Sequence, residues 1–411
     1  MITIDRNQLQ HHIIIIRSRH AQLFKPLQFL LISLLFPPFL FLPQPSSLFT
    51  ATSYTNSIMS TNPSFLLNKI NDVSFENRPV PEIKDPHYVK IQVKKTGICG
   101  SDVHYYTHGA IGQFVVKKPM VLGHESAGVI VEVGEAVTTL KVGDRVAMEP
   151  GVPSRYSDEY KSGHYNLCPH MAFAATPPYD GTLCRYYLLP EDFCVKLPDH
   201  VSLEEGALAE PLSVGVHVSK QASVVPGDVA VVFGAGPVGL LIASCALAFG
   251  ATKVVAVDLF QSKLDLAKEI GITHTFIPTK GDTPQQSAQK IWELLGEKPT
   301  VAVDASGAEP SIQTAIQVLK EGGRFVQAGM GRDNITFPIA DFCSKELTAK
   351  GCFRYGFGDY KLAVEFIASG KVPAAKLITH RFKFKEAEEA FKTVMSGKAV
   401  KVIIDGPEDD E

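Results

Sequence analysis

Val229-Ala-Val-Val-Phe-Gly234-Ala-Gly236-Pro-Val-Gly239 decides the fold of this chain, because an apolar strand runs directly into a G-x-G-x-x-G turn. An apolar helix is predicted to follow over residues 240–248. In this context Gly234 permits a tight turn, Gly236 lets the backbone approach a pyrophosphate, and Gly239 lets the helix pack closely on the strand. The helix amino terminus then receives phosphate charge. The stretch predicts a dinucleotide-binding domain.

Asp258 ends the next predicted strand, Lys253–Asp258, and lies 19 residues after the last glycine of the turn. A carboxylate at this place accepts hydrogen bonds from both ribose hydroxyls and repels a 2′-phosphate, which favours NAD over NADP. Residues 259–261 supply no arginine that could hold such a phosphate. We predict cofactor contacts from Asp258, from the three glycines and from Pro237 and Val238 between them.

Two patterns divide the rest of the chain. Short β-type runs separated by glycine-rich turns occupy residues 89–146, and they predict a small β-barrel or sandwich. From residue 229 strands alternate with helices, with further buried strands predicted at 301–304 and 323–328, which indicates a doubly wound parallel sheet. The last 60 residues are interpreted as a return to the first domain. They hold strand candidates at 382–384 and 400–404 and a helix candidate at 385–395.

Composition limits the classes of function. With 411 residues, 45% of them hydrophobic and 20% charged, the chain is typical of a soluble protein with two domains. A net charge of -3 without a basic cluster argues against nucleic acid or an anionic membrane as partner and favours small neutral molecules. Seven cysteines without dense spacing indicate a reducing compartment, so we expect a cytoplasmic protein. Four of these cysteines are predicted to be core residues without chemistry: Cys184, Cys194, Cys245 and Cys352.

Residues 1–58 differ from the rest of the chain. They hold a short apolar stretch, 29–42, interrupted by Pro37-Pro38 and preceded by basic residues, so a secretory signal and an organellar presequence both remain open. We favour a third interpretation, in which Met59 is the functional start and the upstream residues are no part of the working protein.

A candidate metal site comes from three residues. Cys99 lies in Gly97-Ile-Cys-Gly-Ser-Asp102, and Gly123-His124-Glu125 follows 25 residues later. A thiolate, an imidazole and a carboxylate form a three-ligand set for zinc that leaves the fourth position open, as a catalytic site requires. Taken singly, each residue has a plainer interpretation, as a core thiol, a histidine beside a turn and a surface charge.

These motifs, in this order and spacing, resemble the zinc-containing medium-chain dehydrogenases. The likeness covers residues 62–407 and is strongest to the polyol dehydrogenases, the sorbitol and xylitol enzymes, especially those of yeasts. It rests on the metal and dinucleotide motifs and on five further stretches. These are His104-Tyr-Tyr, Lys118-Pro-Met-Val-Leu-Gly-His-Glu125, Gly163-His-Tyr-Asn-Leu167, Glu210-Pro-Leu-Ser213 and Phe353-Arg-Tyr355.

The resemblance implies a GroES-like β-barrel catalytic domain in residues 59–212 and 353–411, and a Rossmann NAD-binding domain in residues 213–352. It implies one catalytic zinc on Cys99, His124 and Glu125, with Glu210 ligating directly or through water. It also implies a homotetramer or homodimer. The further implied contacts are Ser101, Tyr105, Phe173, Arg354 and Tyr355 for the substrate and Phe353 for the cofactor.

One departure from the wider family concerns its structural zinc, which four closely spaced cysteines hold in many alcohol dehydrogenases. The matching positions here are Ser154, Ser157, Tyr160 and Cys168. A serine hydroxyl is a poor zinc ligand and one thiolate cannot hold the ion, so we expect no structural zinc.

The expected reaction is the oxidation of a secondary hydroxyl of a polyol such as xylitol to a ketone. Ser101 is expected to pass the proton outward through water, the ribose or His104, and a plain supporting role for His104 remains equally open. Sorbitol remains open as the substrate. A zinc dehydrogenase of threonine or a primary alcohol is a further alternative, and a non-enzymatic NAD-binding protein is another. The complete set of metal ligands argues against the last.

Overall fold

The computed structural model describes residues 61–408. The expected extension at residues 1–58 lies outside the described residues. No helix within 61–408 is long and apolar enough to cross a membrane.

The first region is built on a seven-stranded sheet in the order β12-β8-β7-β3-β20-β19, with β11 also paired to β3. Its strands are β1 (Asn62–Lys69), β2 (Asp72–Arg78), β3 (Tyr88–Gly97), β4 (Ala110–Ile111), β5 (Phe114–Val115), β6 (Met120–Val121), β7 (Glu125–Val133), β8 (Arg145–Met148), β9 (Gly151–Val152), β10 (Ala172–Phe173), β11 (Tyr186–Pro190) and β12 (Cys194–Lys196). Its helices are α1 (Gly100–His108), α2 (Asp158–Lys161), α3 (Leu203–Ala207) and α4 (Ala209–Gln221). Strands predicted from residues 89 and 127 are thus present and longer than predicted.

The second region is a six-stranded sheet in the order β15-β14-β13-β16-β17-β18, and every neighbouring pair in it is parallel. Its strands are β13 (Val229–Phe233), β14 (Lys253–Val257), β15 (His274–Phe276), β16 (Val301–Asp304), β17 (Arg324–Gln327) and β18 (Thr348–Gly351). Its helices are α5 (Pro237–Ala248), α6 (Gln261–Glu269), α7 (Pro284–Leu295), α8 (Glu309–Val318) and α9 (Ile339–Ser344). The predicted doubly wound sheet is confirmed.

The chain then returns to the first sheet through α10 (Asp359–Ala368), β19 (Ile378–Phe382), α11 (Ala387–Met395) and β20 (Lys401–Asp405). Strand β20 pairs with the second half of β3, where Ile403 faces Gly97, while β11 occupies the first half of the same edge. The predicted strand at 382–384 is wrong, because a helical turn begins at Phe384. The Glu386 carboxylate accepts a hydrogen bond from the Lys383 N–H at 2.9 Å and so starts the helical turn there.

The largest apolar cluster joins the two regions. It contains Ala127 and Phe173 from the first region and Val232 and Leu241 from the second, all buried. Helix α4 packs on α5 and on α10 at this junction. Burial across both regions holds them together through α4 and α5, and a cavity opens at this junction. The division at residues 212/213 and 352/353 remains a prediction.

Candidate active site

A cavity of about 230 Å³ lies where the two regions meet. From the first region it is lined by the predicted metal donors, and from the second by Val238 at the start of α5 and by Ala328 and Met330 after β17. In a parallel sheet these positions follow the carboxyl ends of β13 and β17, where such folds bind their ligands. The predicted metal site and the predicted nucleotide turn therefore open into one space.

Cys99, His124 and Glu125 come together at the bottom of this cavity. One potential ligand atom from each lies within 4.8 Å of those of the other two. Cys99 precedes the first turn of α1, and His124 follows Gly123, whose φ of +89° bends the chain immediately before β7. His124 and Glu125 are buried, and Cys99 is half-buried. A thiolate, an imidazole and a carboxylate at these separations fit a zinc ion with an open position.

Asp102 ties the two metal-binding segments together. Its carboxylate accepts hydrogen bonds from the Cys99 N–H at 3.1 Å and the Gly123 N–H at 3.0 Å, and its Oδ1 lies 3.3 Å from Nδ1 of His124. Burial alone would raise the pKa of Asp102, but His124 and the two N–H groups outweigh it and lower the pKa. Asp102 therefore orients the imidazole, as carboxylates behind metal-binding histidines do. The sequence motif contained Asp102, but no role was predicted for it.

Lys401, at the start of β20, forms an ion pair with Glu125. Its Nζ donates to both carboxylate oxygens of Glu125, at 2.8 and 2.6 Å, and to the Ile98 carbonyl at 3.2 Å. Both side chains of the pair are almost fully buried. Burial lowers the pKa of Lys401, but Glu125 and Cys99 reverse this and raise it overall. Sequence reasoning missed Lys401, although a lysine inside the apolar run 400–404 was a signal.

The donor cluster attracts positive charge. Burial disfavours the charged form of His124, yet Asp102 and Cys99 raise its pKa well above the usual value. A pocket that stabilises both an imidazolium and a buried ammonium has a negative potential, which a divalent cation would neutralise. The electrostatics thus agree with the donor chemistry.

Glu210 also lines the cavity, from the first turn of α4. It is buried, and desolvation is the main cause of a raised pKa, with a further contribution from Glu125. Tyr355 is only 1% exposed, it is not among the residues that line the cavity, and its hydroxyl lacks a hydrogen-bond partner within residues 61–408. Tyr355 directly follows Arg354, which lines the cavity, and a contact of Tyr355 with the substrate remains a prediction.

Aromatic and basic side chains form the mouth of the cavity. The guanidinium carbon of Arg354 lies 3.9 Å from the ring centre of Phe173 and 4.8 Å from that of Phe353. Ser101 and Tyr105 line the wall beside the metal donors, as does Thr176, which was not predicted. His104 is exposed and stacks on His108, with ring centres 4.4 Å apart, and it is not among the residues that line the cavity. Its place on an outward proton route remains a prediction.

The four cysteines that were predicted to be core residues all lie in or against apolar clusters. Cys184, Cys194 and Cys245 are buried, in agreement with a core role. Cys352 is half-buried and packs against the apolar cluster that joins the two regions, and it also lines the cavity.

The nucleotide turn is made chiefly of backbone. Gly234 has a φ of +96°, and a Cβ on Gly239 would lie 1.8 Å from the Gly234 carbonyl oxygen. Asp258 Oδ2 accepts a hydrogen bond from the Ala235 N–H at 2.8 Å, so this carboxylate also fixes the turn. Lys263 Nζ lies 3.6 Å from Asp258 Oδ2 and was not predicted at this place.

Hydrogen bonds close the loop that carries Ser154, Ser157, Tyr160 and Cys168. The Ser154 N–H donates to the Cys168 thiol sulfur at 3.3 Å, and the Ser157 hydroxyl accepts from the Tyr160 N–H at 3.2 Å. Arg155 forms a two-pronged ion pair with Asp192, at 2.8 and 2.7 Å. The absence of a structural zinc remains a prediction, and these contacts show what fixes the loop within the described residues.

Two family models match the chain. Residues 85–199 match the alcohol dehydrogenase GroES-like domain, and residues 237–369 match the zinc-binding dehydrogenase domain. The first match contains Cys99, His124 and Glu125, and the second begins within the glycine-rich turn.

Curated relatives and solved structures agree with these matches. The chain is 60% identical over 356 residues to "Probable D-xylulose reductase A" of Aspergillus clavatus, covering 86% of this chain and 99% of the relative. It is 58% identical to D-xylulose reductase A of Aspergillus niger, with coverage of 86% and 99%.

Two solved structures carry a nicotinamide cofactor. A short chain alcohol dehydrogenase from Escherichia coli CFT073 complexed with NADH has a TM-score of 0.77 and 27% identity, and the match covers 84% of this chain and 99% of the other. A putative zinc-binding dehydrogenase from Sinorhizobium meliloti 1021 bound to NADP also has a TM-score of 0.77, with 26% identity and coverage of 84% and 99%.

Proposed function

The chain belongs to the zinc-binding alcohol dehydrogenases, and on that premise we propose that it catalyses the NAD-dependent oxidation of xylitol to D-xylulose. One observation carries the proposal: the three metal donors and the amino terminus of the nucleotide helix line a single cavity. Relatives about 60% identical over nearly their whole length are D-xylulose reductases, which supports the choice of substrate.

Cys99, His124 and Glu125 are proposed to hold the zinc, with Glu210 beside them. A zinc ion held there would act as a Lewis acid that lowers the pKa of the substrate hydroxyl, and a nicotinamide bound at the glycine-rich turn would supply the hydride acceptor. Ser101 lines the same wall and takes the hydroxyl proton on its way to solvent. The alcohol thus loses one hydride and one proton and becomes a ketone.

Arg354 and Phe173 are proposed to position the polyol. Arg354 lies over the Phe173 ring at the mouth, and its guanidinium has donors for the hydroxyls next to the reacting carbon. A substrate without those hydroxyls leaves these donors unpaired, which costs affinity. Tyr105 and Phe353 complete the proposed substrate and cofactor walls.

Asp258 is proposed to select NAD. Its carboxylate is held by the Ala235 N–H and lies at the end of β14, where it can accept the ribose hydroxyls. Solved relatives bind NADH or NADP, so the choice rests on this residue of the chain. We expect Asp258→Ala to lower kcat/KM with NAD by about tenfold or more, the loss of a hydrogen bond to a charged group, and to narrow the preference over NADP.

Initial rates with xylitol, sorbitol, threonine and ethanol, each with NAD and with NADP, test the function on zinc-loaded protein. We expect the highest kcat/KM with xylitol and NAD. A preference for sorbitol would change the substrate within the same mechanism, and absence of polyol oxidation by zinc-loaded protein would overturn the assignment. Metal analysis of the same sample is expected to give one zinc per chain.

Further parts of the proposal concern the whole protein. We propose a cytoplasmic homotetramer or homodimer, to be measured by light scattering and by localisation of a tagged chain. We also propose that Met59 is the functional start. A chain that begins at Met59 is expected to keep full activity and solubility, and loss of soluble protein would contradict this.

A further inference from the structure

The segment that carries Arg354 is held on both sides. The Cys352 N–H donates to the Gln327 carbonyl at 3.0 Å, and the Gly356 N–H donates to Asp359 Oδ2 at 2.6 Å. Asp359 is fixed in turn by His217 and Lys220, at 2.7 and 2.5 Å. Between these anchors the chain turns across the mouth of the cavity.

Arg354 itself has an unfavourable backbone conformation. Its φ is +55°, in the left-handed region that residues with long side chains seldom adopt. Its Nη1 lies 2.8 Å from the sulfur of Met171, and its guanidinium covers the Phe173 ring. Arg354 lines both the active-site cavity and a neighbouring cavity of about 490 Å³. Such a conformation persists where surrounding contacts fix it.

Asn166 supplies a contact at this place. Its Nδ2 donates to the Phe353 carbonyl at 2.9 Å, directly before Arg354, and the side chain is only 5% exposed. Asn166 lies in the helical turn Tyr165–Leu167, which is anchored from behind by a hydrogen bond from the Tyr165 hydroxyl to Glu149. The donor is therefore fixed to the β-rich region, and the acceptor belongs to the crossing segment.

We propose that Asn166 is a positioning residue for substrate selection. By holding the Phe353 carbonyl it keeps the backbone of Arg354 in the left-handed conformation and the Arg354 guanidinium over the Phe173 ring. The loop around residues 151–169 thereby controls which polyol hydroxyls are recognised, although it contributes no metal donor. This inference rests on the proposed polyol dehydrogenase function.

The test is Asn166→Ala in the full-length, zinc-loaded protein. We expect the KM for xylitol to rise about fivefold, since one buried hydrogen bond is lost, while kcat changes less than about twofold because the metal donors are untouched. The matched control is Asn62→Ala. Asn62 is equally buried and its side chain bonds the Tyr186 backbone in both directions, but it lies away from the cavity. It is expected to lower thermal stability without changing KM.

A double-mutant cycle separates positioning from a general structural effect. If Asn166 acts through Arg354, Asn166→Ala adds no further rise in KM when Arg354 is already Ala. Additive effects of the two changes on KM would overturn the inference and leave the proposed function standing. A fall in kcat as large as the rise in KM would do the same. If the wild-type protein oxidises no polyol, both fail. Should Asn166→Ala prove insoluble, Asn166→Ser takes its place with the same criteria.

Discussion

The nucleotide turn and the metal pocket face one cavity but are built on opposite principles. The turn is contiguous in sequence, and the groups proposed to face the cofactor are the backbone amides and glycines of residues 234–239, completed by the Asp258 carboxylate. The metal pocket gathers side chains from α1, β7, α4 and β20, more than 300 residues apart at the extremes. Its members are ionisable side chains, and most of them are buried.

This difference decides which changes each site tolerates. A backbone site depends on the space around its glycines, so the critical quantity is the distance to the nearest atom. A buried side-chain site depends on charge balance, so removal of one partner leaves an uncompensated charge. The following experiments test this contrast.

The largest effect is expected from Cys99→Ser. A serine hydroxyl is a poor zinc ligand, so zinc binding and turnover should both be lost, with kcat/KM falling about 10⁴-fold or more for want of the Lewis acid. Zinc content by atomic emission and initial rates are the measurements. Cys343→Ser, at an exposed cysteine, is the control and should change neither. Full zinc occupancy in Cys99→Ser would show that the thiolate is not needed to hold the ion. The metal pocket could then no longer be contrasted with the nucleotide turn.

Lys401→Met is expected to destabilise the zinc-free protein by about 3–5 kcal/mol, because Glu125 is left buried without its cation. Bound zinc supplies positive charge to the same carboxylate, so the loss should be smaller in zinc-loaded protein. Denaturant unfolding with and without zinc measures both. Lys90→Met is the matched control: Lys90 is also buried, but its partner Glu132 is 45% exposed, so the cost should be far smaller. Equal losses in the two variants would contradict the argument.

Two alanine substitutions probe the backbone site. In Gly239→Ala the new Cβ meets the Gly234 carbonyl oxygen at 1.8 Å, so we expect a loss of about 1–3 kcal/mol in stability from the forced shift. A Cβ on Gly236 meets no protein atom within 4 Å, so the folded protein should tolerate it. There the expected effect is a higher KM for NAD, since the methyl group occupies the proposed pyrophosphate site. Similar stabilities for both variants would show that space does not govern this site.

The smallest effect concerns Glu149, a buried carboxyl beyond the metal pocket. Burial raises its pKa to about 7, although the hydrogen bond from Tyr165 opposes the shift. Its pKa is higher in the folded than in the unfolded state, so its contribution to stability is present below about pH 4.5 and is lost as pH rises towards 7, by about 1.4 kcal/mol per pH unit at most. Glu149→Gln should flatten the pH dependence of the unfolding free energy in this range. An unchanged slope would show that Glu149 titrates normally.

The same contrast explains what could be predicted from sequence. The nucleotide turn is local, so the order strand, turn, helix was readable from residues 229–248, and the parallel sheet followed from it. Cys99, His124 and Glu125 were found through their resemblance to a family, and the structure brings them together. Asp102 and Lys401 were missed, because their roles depend on which segments meet in space. Lys401 reaches Glu125 only through the pairing of β20 with β3, which no local pattern reveals.

The positions of the Tyr355 and Cys352 side chains could not be read from the sequence pattern for a related reason. Both lie in the segment that follows β18, where the backbone leaves regular structure and Arg354 adopts a positive φ. Alternation of side chains along a strand does not extend through such a turn. The face to which each side chain points is therefore set by contacts such as that of Asn166 with Phe353.

The position of Lys401 in β20 has a consequence for biosynthesis. During translation the nucleotide region and both metal-binding segments leave the ribosome before the strand that neutralises Glu125. Until that strand pairs with β3, the carboxylate has no lysine behind it, and a bound cation is the alternative counterion. Docking of this strand therefore follows synthesis of the whole cavity lining, and it is the step that gives Glu125 its lysine partner.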